Sequence, residues 1–312
     1  MRLIGLEILL AHFHRPEESP SSSNRLLLTQ GAPRADPRVG VRYLWWPHMN
    51  MGDQLQRIGS YLGHLIKARN RHGVHSPFVY DLIDHVLRVR TDLPEFAMIE
   101  ALREDLLHSD QTIAVNDLGA GSRVFSTDTR SVADIARSAL KPADQAQQLF
   151  RLARYFDAHR VLELGTSFGI TTLYLALGAE DGTVHTIEGC PQTLRIAQHH
   201  FDQLKQRNIH AVLGSFRNKL PETLHKMGTV DLAFIDGHHA KEPTLEYFEQ
   251  VLPKAHNGTV FVFDDIHWSR GMEQAWEAIK AHPRVTVTVD LYDLGLVFLR
   301  TEQAKEHFTL RY

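Results

Sequence analysis

Residues 161–176 read VLELGTSFGITTLYLA, and this stretch decides the fold. Val161-Leu162-Glu163-Leu164 has the pattern of a short strand. Gly165-Thr166-Ser167-Phe168-Gly169 is a turn rich in small residues, and apolar residues then return at helical spacing as Ile170, Leu173, Leu175 and Leu177. Strand, tight loop and helix in this order form the ligand-binding corner of a doubly wound sheet. Glycines let a ligand lie against the backbone. The helix start aims unpaired N–H groups and a partial positive charge at an anion.

The acid before the turn separates this corner from a dinucleotide site. The dinucleotide fingerprint is G-x-G-x-x-G, whereas the order here is Glu163-x-Gly165-x-Ser167-x-Gly169. A second strand, Val184-His185-Thr186-Ile187, ends in another acid, Glu188. Two carboxylates at one nucleoside pocket suit a ligand with an ammonium, a sulfonium and a ribose diol, and they repel a pyrophosphate. The pattern resembles the class I S-adenosylmethionine-dependent methyltransferases, whose first motif has this acid-x-Gly-x-x-x-Gly form. The resemblance implies that Glu163, Gly165, Thr166, Ser167 and Gly169 surround the methionine moiety. Glu188 is expected to accept both ribose hydroxyls, because a carboxylate has two oxygens at diol spacing. Ser215, after the third strand in Leu213-Gly214-Ser215-Phe216, is expected either to contact the adenine or to cap the next helix.

Strands and helices alternate beyond this corner. Strands are expected at Val161–Leu164, Val184–Ile187, His210–Leu213, Leu232–Ile235 and Val260–Phe263, with helical spacing between them. Such alternation means an α/β fold with a parallel sheet and right-handed crossovers. Val285–Asp290 and Leu296–Leu299, joined through Asp293-Leu294-Gly295, read as a hairpin. A doubly wound, Rossmann-like sheet of seven strands with an antiparallel last strand is the methyltransferase fold that the resemblance implies. Three segments are expected: a disordered leader at 1–48, a helical extension and substrate-side cap at 49–142, and the cofactor-binding domain at 143–312.

A second constellation lies at the same sheet edge. The fourth strand ends in Asp236-Gly237-His238-His239 and the fifth in Phe263-Asp264-Asp265. Carboxyl ends of neighbouring parallel strands meet where ligands bind. Asp236, Asp264 and Asp265 repel one another unless a cation or protons compensate. Oxygen ligands select a hard ion, magnesium above all. Adjacent strand residues face opposite ways, so Asp264 and Asp265 both point inward only if the strand has bent into its loop. Otherwise Asp265 caps the following segment and no metal binds. These residues resemble the metal-dependent O-methyltransferases of the catechol type, and more closely the branch that modifies sugars on natural products. The sugar-modifying branch has Asp-Gly-x-His and a paired Asp-Asp. The catechol type has Asp-Asn at the second place and lysine where this chain has His239. The resemblance implies that a divalent cation lowers the pKa of the acceptor hydroxyl. It makes His239 the general base, a role histidine suits near neutral pH, and lets Asp236 also touch the methyl end of the cofactor. His238 is a weaker candidate for the role of base, and because the family pattern places the base one position later it is expected instead to face solvent.

Composition narrows the alternatives. A chain of 312 residues with net charge −3 implies no bulk attraction to nucleic acid. One cysteine, Cys190, allows no internal disulfide and points to a reducing compartment. No stretch has the length or apolarity of a membrane span, and no signal-peptide pattern is visible, so a cytoplasmic enzyme is expected. Met49 and Met51 stand directly before the first patterned segment, as they would if translation began there. His72 and His75 flank a turn before Ser76-Pro77, which starts a helix; they are either substrate or metal contacts or loop packing. The Gly119-Ala120-Gly121 loop is either a lid beside the site or an ordinary connection. The acceptor is expected to be a small molecule, and assembly as a homo-oligomer is left open. Two further readings remain: a metal-independent N- or O-methyltransferase, and a non-catalytic nucleoside-binding protein on the same fold.

Overall fold

A computed structural model describes residues 51–115 and 129–312. The expected leader at 1–48 and the Gly119-Ala120-Gly121 loop lie outside the described residues. The helices are α1 (Met51–Lys67), α2 (Pro77–Leu82), α3 (Pro94–Leu107), α4 (Val132–Ala139), α5 (Ala143–Tyr155), α6 (Ile170–Gly178), α7 (Pro191–Gln203), α8 (Phe216–Met227), α9 (Lys241–Val251) and α10 (Arg270–Ala281). The strands are β1 (Thr112–Ala114), β2 (Thr129–Ser131), β3 (Arg160–Leu164), β4 (Thr183–Glu188), β5 (Ile209–Leu213), β6 (Val230–Ile235), β7 (Ala255–Asp264), β8 (Val287–Asp290), β9 (Leu294–Phe298) and β10 (Glu306–Thr309).

The main sheet has eight strands in the order β10-β8-β9-β7-β6-β3-β4-β5. Strands β3 to β7 run parallel, and β9 is antiparallel to both β7 and β8. The expected hairpin is therefore present. The expected count of seven strands is corrected by β10, which pairs parallel with β8 from Glu306 beside Val287 to Thr309 beside Asp290. Its sequence, Glu-His-Phe-Thr, buries only Phe308, so an apolar pattern does not mark it. Thr112–Ala114 is a strand, but it pairs only with Thr129–Ser131 in a separate antiparallel ladder.

The central strands are apolar on both faces because helices cover both. Val161, Phe234, Val260 and Val262 pack with Leu149, Leu152 and Leu175 on one side. Leu162, Leu164, Ala233 and Phe261 pack with Leu224, Phe248 and Trp276 on the other. At ~25 cal/mol per Å2 of apolar surface removed from water, such two-sided burial is the main stabilising term for a parallel sheet. The upstream helices share these cores: Val79, Leu82 and Val86 join the first, and Phe96 and Ile99 of α3 pack with Phe150 and Tyr174 in a third cluster. Ser76 caps α2, its hydroxyl accepting from the Val79 N–H, while His72 and His75 are exposed.

The chain leaves β3 in one direction through β4 and β5 and returns to its other side with β6. That reversal opens a crevice beyond the carboxyl ends of β3 and β6, where α/β sheets bind ligands.

Candidate active site

A cavity of about 350 Å3 lies in that crevice. Residues at the carboxyl ends of all five parallel strands line it: Gly165 after β3, Glu188 ending β4, Gly214 and Ser215 after β5, Asp236 after β6, and Asp264 and Asp265 at β7. The far wall comes from upstream, through Val115, Arg130, Ser138 and Lys141.

The loop after β3 is held tightly. Gly165 has φ +104°, and a Cβ there would overlap the Asp236 carbonyl oxygen. Gly169 has φ +80° and starts α6, where a Cβ would meet the Phe201 ring at 2.5 Å. Ser167 also adopts a positive φ, of 49°. Its N–H thereby donates to Glu188 Oε2 at 2.8 Å, while the Cys190 N–H donates to Glu188 Oε1 at 2.8 Å. Burial pushes the Glu188 carboxyl up, and these N–H groups oppose that shift. Cys190 is buried, and like Ser215 it lines the cavity. Ser215 stands at the N-cap position of α8, yet its side chain makes no capping hydrogen bond.

Two residues expected around the methionine moiety, Glu163 and Thr166, lie behind the cavity wall. Glu163 is 0% exposed, pairs across the sheet with Thr186, and accepts hydrogen bonds at Oε2 from Thr172 (2.6 Å) and Thr186 (2.7 Å). Thr166 is 2% exposed and bonds Thr186 Oγ1 at 2.5 Å. The cause is strand alternation: Glu163 faces away from the neighbours that Leu162 and Leu164 meet, and α6 covers it.

Burial pushes the Glu163 carboxyl up to about 7; the Thr172 and Thr186 hydroxyls oppose the shift, and the Glu188 charge adds to it. A raised folded-state pKa means that the folded protein binds more protons than the unfolded chain between the two values. Stability therefore falls as pH rises from 4.5 to about 7. Ionising the buried group costs about 3 kcal/mol or a little more on this basis. Glu163→Gln is expected to flatten that slope, so the drop in Tm between about pH 5 and pH 8 shrinks relative to wild type. Thermal unfolding at the two pH values checks this, and an unchanged drop argues against a buried neutral acid.

The second constellation converges opposite Glu188. Strand β7 ends at Asp264, and Asp265 bends out of it with φ 52°, so both line the cavity. His239 Nε2 lies 3.5 Å from Asp236 Oδ1, and its Nδ1 lies 3.9 Å from Asp265 Oδ2. Ligand atoms of Asp236, His239 and Asp264 lie within 4.8 Å of one another. The geometric cluster thus contains His239 where the sequence suggested Asp265. His238, expected in solvent, is half-buried with φ 63°; its Nδ1 is hydrogen-bonded to the Tyr247 hydroxyl and its ring packs against Phe216.

Two charged residues of the site had no signal in the sequence. Lys141, just before α5, forms an ion pair with Asp264 Oδ2 and lies 3.8 Å from Asp236 Oδ2. Burial alone would lower its pKa, but Asp236, Asp264 and Asp265 outweigh burial and hold the ammonium above the usual lysine value. Asp293, in the β8–β9 turn, accepts from Gln145 Nε2 at 3.0 Å, and its backbone carbonyl accepts from the Asp265 N–H at 2.7 Å. Burial and the neighbouring Asp265 push its carboxyl up to about 7. Asp264 is likewise held well above the carboxylate range, by burial and then by Asp236 and Asp265. Lys141 supplies one positive charge beside Asp236, Asp264 and Asp265, and Arg130 also lines the cavity. Asp264 Oδ1 is buried with no hydrogen-bond partner among the described residues. This donor set fits a second, hard cation.

Residues 162–266 match a family profile described as a methyltransferase domain. The chain is 31% identical over 159 residues to a catechol O-methyltransferase of Mycobacterium tuberculosis, across 50% of this chain and 69% of that protein. It is 30% identical over 142 residues to a catechol O-methyltransferase of Niastella koreensis, across 44% of this chain and 63% of that one. In fold it is similar to a methyltransferase of Podospora anserina solved with S-adenosylhomocysteine, with a TM-score of 0.51 at 14% identity over 73% of this chain and 99% of that one. With a glycine corner at β3, an acid ending β4 and an acid ending β6 in the matched segment, this chain belongs to the class I S-adenosylmethionine-dependent O-methyltransferases.

Proposed function

We propose that this protein transfers the methyl group of S-adenosylmethionine to a hydroxyl of a small molecule, with His239 as the base and with help from a divalent cation. One observation carries the reading: Glu188 and the Asp236–His239–Asp264 cluster line the same cavity from opposite sides. Glu188 would take the ribose diol, its two oxygens fixed by the Ser167 and Cys190 N–H groups. Gly214, Ser215 and Phe216 would flank the adenine, and Gly165 would pass the methionine moiety close to the backbone. Glu163 and Thr166 would act by bracing that loop from behind.

Asp236 and Asp264 would hold the cation, with Asp265 beside them; bound there, it would supply positive charge that makes a hydroxyl more acidic. The chain's own residues do the rest. His239, fixed between Asp236 and Asp265, receives the hydroxyl proton, and both carboxylates stabilise the ring once it is charged. The oxygen then attacks the methyl carbon in line with the departing sulfur. Positioning of two reactants in one crevice supplies up to roughly 7–11 kcal/mol of such a rate enhancement. The catechol specificity of the relatives supports a phenolic acceptor; the Asp264-Asp265 pair and the histidine in place of lysine support a sugar hydroxyl.

A second reading rests on Lys141. Its ammonium already sits among the carboxylates, and it would serve as the positive charge of a metal-free enzyme. A methyl-transfer assay with phenolic and sugar acceptors, in chelator and after magnesium is restored, separates the two. Turnover is expected to fall at least ~100-fold in chelator, as loss of several kcal/mol of charge stabilisation requires. Full activity in chelator favours Lys141. No transfer to any acceptor, with S-adenosylmethionine bound, would favour a binding protein.

A further inference from the structure

A second set of metal-ligating side chains lies apart from the cavity lining, where α1 crosses the edge of the sheet. His64 comes from α1, His267 from the loop two residues after Asp265, and Asp290 from the end of β8. One Asp290 oxygen faces His64 Nδ1 at 3.2 Å and the other faces His267 Nε2 at 2.9 Å. Candidate ligand atoms from the three residues lie within 4.8 Å of one another.

The outer nitrogens are also committed. His64 Nε2 meets the Leu310 carbonyl oxygen at 3.2 Å. His267 Nδ1 lies 3.1 Å from Ser60 Oγ and 3.4 Å from Glu273 Oε1, and the Ser60 hydroxyl donates to that same glutamate oxygen at 2.6 Å. A carbonyl only accepts, and so does a serine oxygen whose hydrogen is already given away. Both rings therefore carry a hydrogen on the outer nitrogen. In the neutral ring the inner nitrogen is then a bare lone pair aimed at a carboxylate. Two lone pairs and a carboxylate converging on one point are repulsive unless a cation, or two more protons, stands between them.

Metal-binding histidines have this arrangement: the outer N–H goes to a carbonyl or carboxylate and the inner nitrogen is left free. The carboxylate is braced in the same manner, because Asp290 Oδ1 accepts the Tyr292 N–H at 2.9 Å. Tyr292 holds φ 77° to do so and stacks on His267 with centroids 5.1 Å apart. Two imidazoles and one carboxylate are a donor set for zinc and its neighbours in the first transition row, not for magnesium.

We propose that His64, His267 and Asp290 form a structural zinc-type site that fastens α1 to the sheet and to the loop after Asp265. Its His267 is two residues beyond Asp265 of the cavity lining. Arg57 of α1 stacks over Trp268 at 4.5 Å, and the Trp268 ring is 6.4 Å from that of His239. The proposal does not rest on the methyl-transfer reading.

Full-length protein stripped with chelator is titrated with Zn2+ alone and with Co2+ alone. Zn2+ is expected to raise Tm by about 5 °C at 100-fold excess over Kd, and Co2+ to give the visible bands of a tetrahedral centre. Both effects persist in Asp236→Asn, which weakens the cavity cluster, and vanish in His267→Gln. Glu273→Gln keeps all three ligands and lowers Zn2+ affinity about 10–100-fold. Should His267→Gln fail to fold, X-ray absorption of the zinc-loaded wild type decides, because the cavity cluster offers one imidazole and this site offers two. Unchanged Tm and a colourless cobalt titration overturn the proposal, as does a zinc spectrum with fewer than two imidazoles; the three side chains then hold α1 by hydrogen bonds alone.

Discussion

His239→Ala is expected to lower kcat by about 10²–10⁴-fold, the usual contribution of a positioned base, while affinity for S-adenosylhomocysteine stays within a few-fold of wild type. The separation follows from geometry. The His239 ring lies between Asp236 and Asp265, across the cavity from the Glu188 carboxylate that would hold the ribose. Single-turnover methyl transfer and calorimetry on the same preparation check both halves. Wild-type turnover in the variant would remove His239 from the chemistry. Its inner nitrogen also belongs to the Asp236–His239–Asp264 cluster. If the residue binds the cation instead of accepting the proton, excess magnesium restores much of the lost activity. A missing base is not restored that way.

The second large effect is expected at Lys141. Replacing it with methionine keeps the aliphatic stem and leaves Asp236 and Asp264 without their ammonium partner. Breaking a buried ion pair by removing one member costs about 3–5 kcal/mol. For a chain of this size that is a fall in Tm of roughly 5–9 °C. The loss is expected in chelator and should be smaller with magnesium, because a bound cation takes over the neutralisation. A Tm within 1 °C or so of wild type in chelator would show the cluster neutralised by its own protons. If magnesium makes no difference in the variant, the carboxylates do not hold it.

The two residues probed here differ in how far the sequence revealed them. His239 was legible because Asp236-Gly237-His238-His239 ends an apolar strand, and parallel-strand ends meet at one edge. Glu188, Ser215 and the Asp264-Asp265 pair were legible for the same reason, and all line the cavity. Lys141 was not. It precedes Pro142 at the start of α5, in a segment with no strand end to place it, and only the tertiary fold brings it across 123 positions to Asp264. Asp293 read as a turn residue, which it is, but the β8–β9 turn packs against the Asp265 backbone and buries it. The motif puts Glu163 in the corner, but a motif gives spacing and the pleat decides the face, which here turns the carboxyl toward Thr172 of α6. The eighth strand, with a single buried residue in four, lay below what a hydrophobic pattern can register.

That last strand bears on how the fold closes. The Arg69 N–H donates to the Thr309 carbonyl at 2.8 Å, and the Arg311 N–H donates back to the Arg69 carbonyl at 3.0 Å. The segment that closes α1 is thus sewn to the final residues of the chain. The other contacts of α1 are equally remote in sequence: Ser60 with Glu273, His64 with Asp290, and the Arg57 carbonyl with the Tyr292 hydroxyl. Docking of that helix is therefore a long-range closure, of the kind that sets slow folding rates.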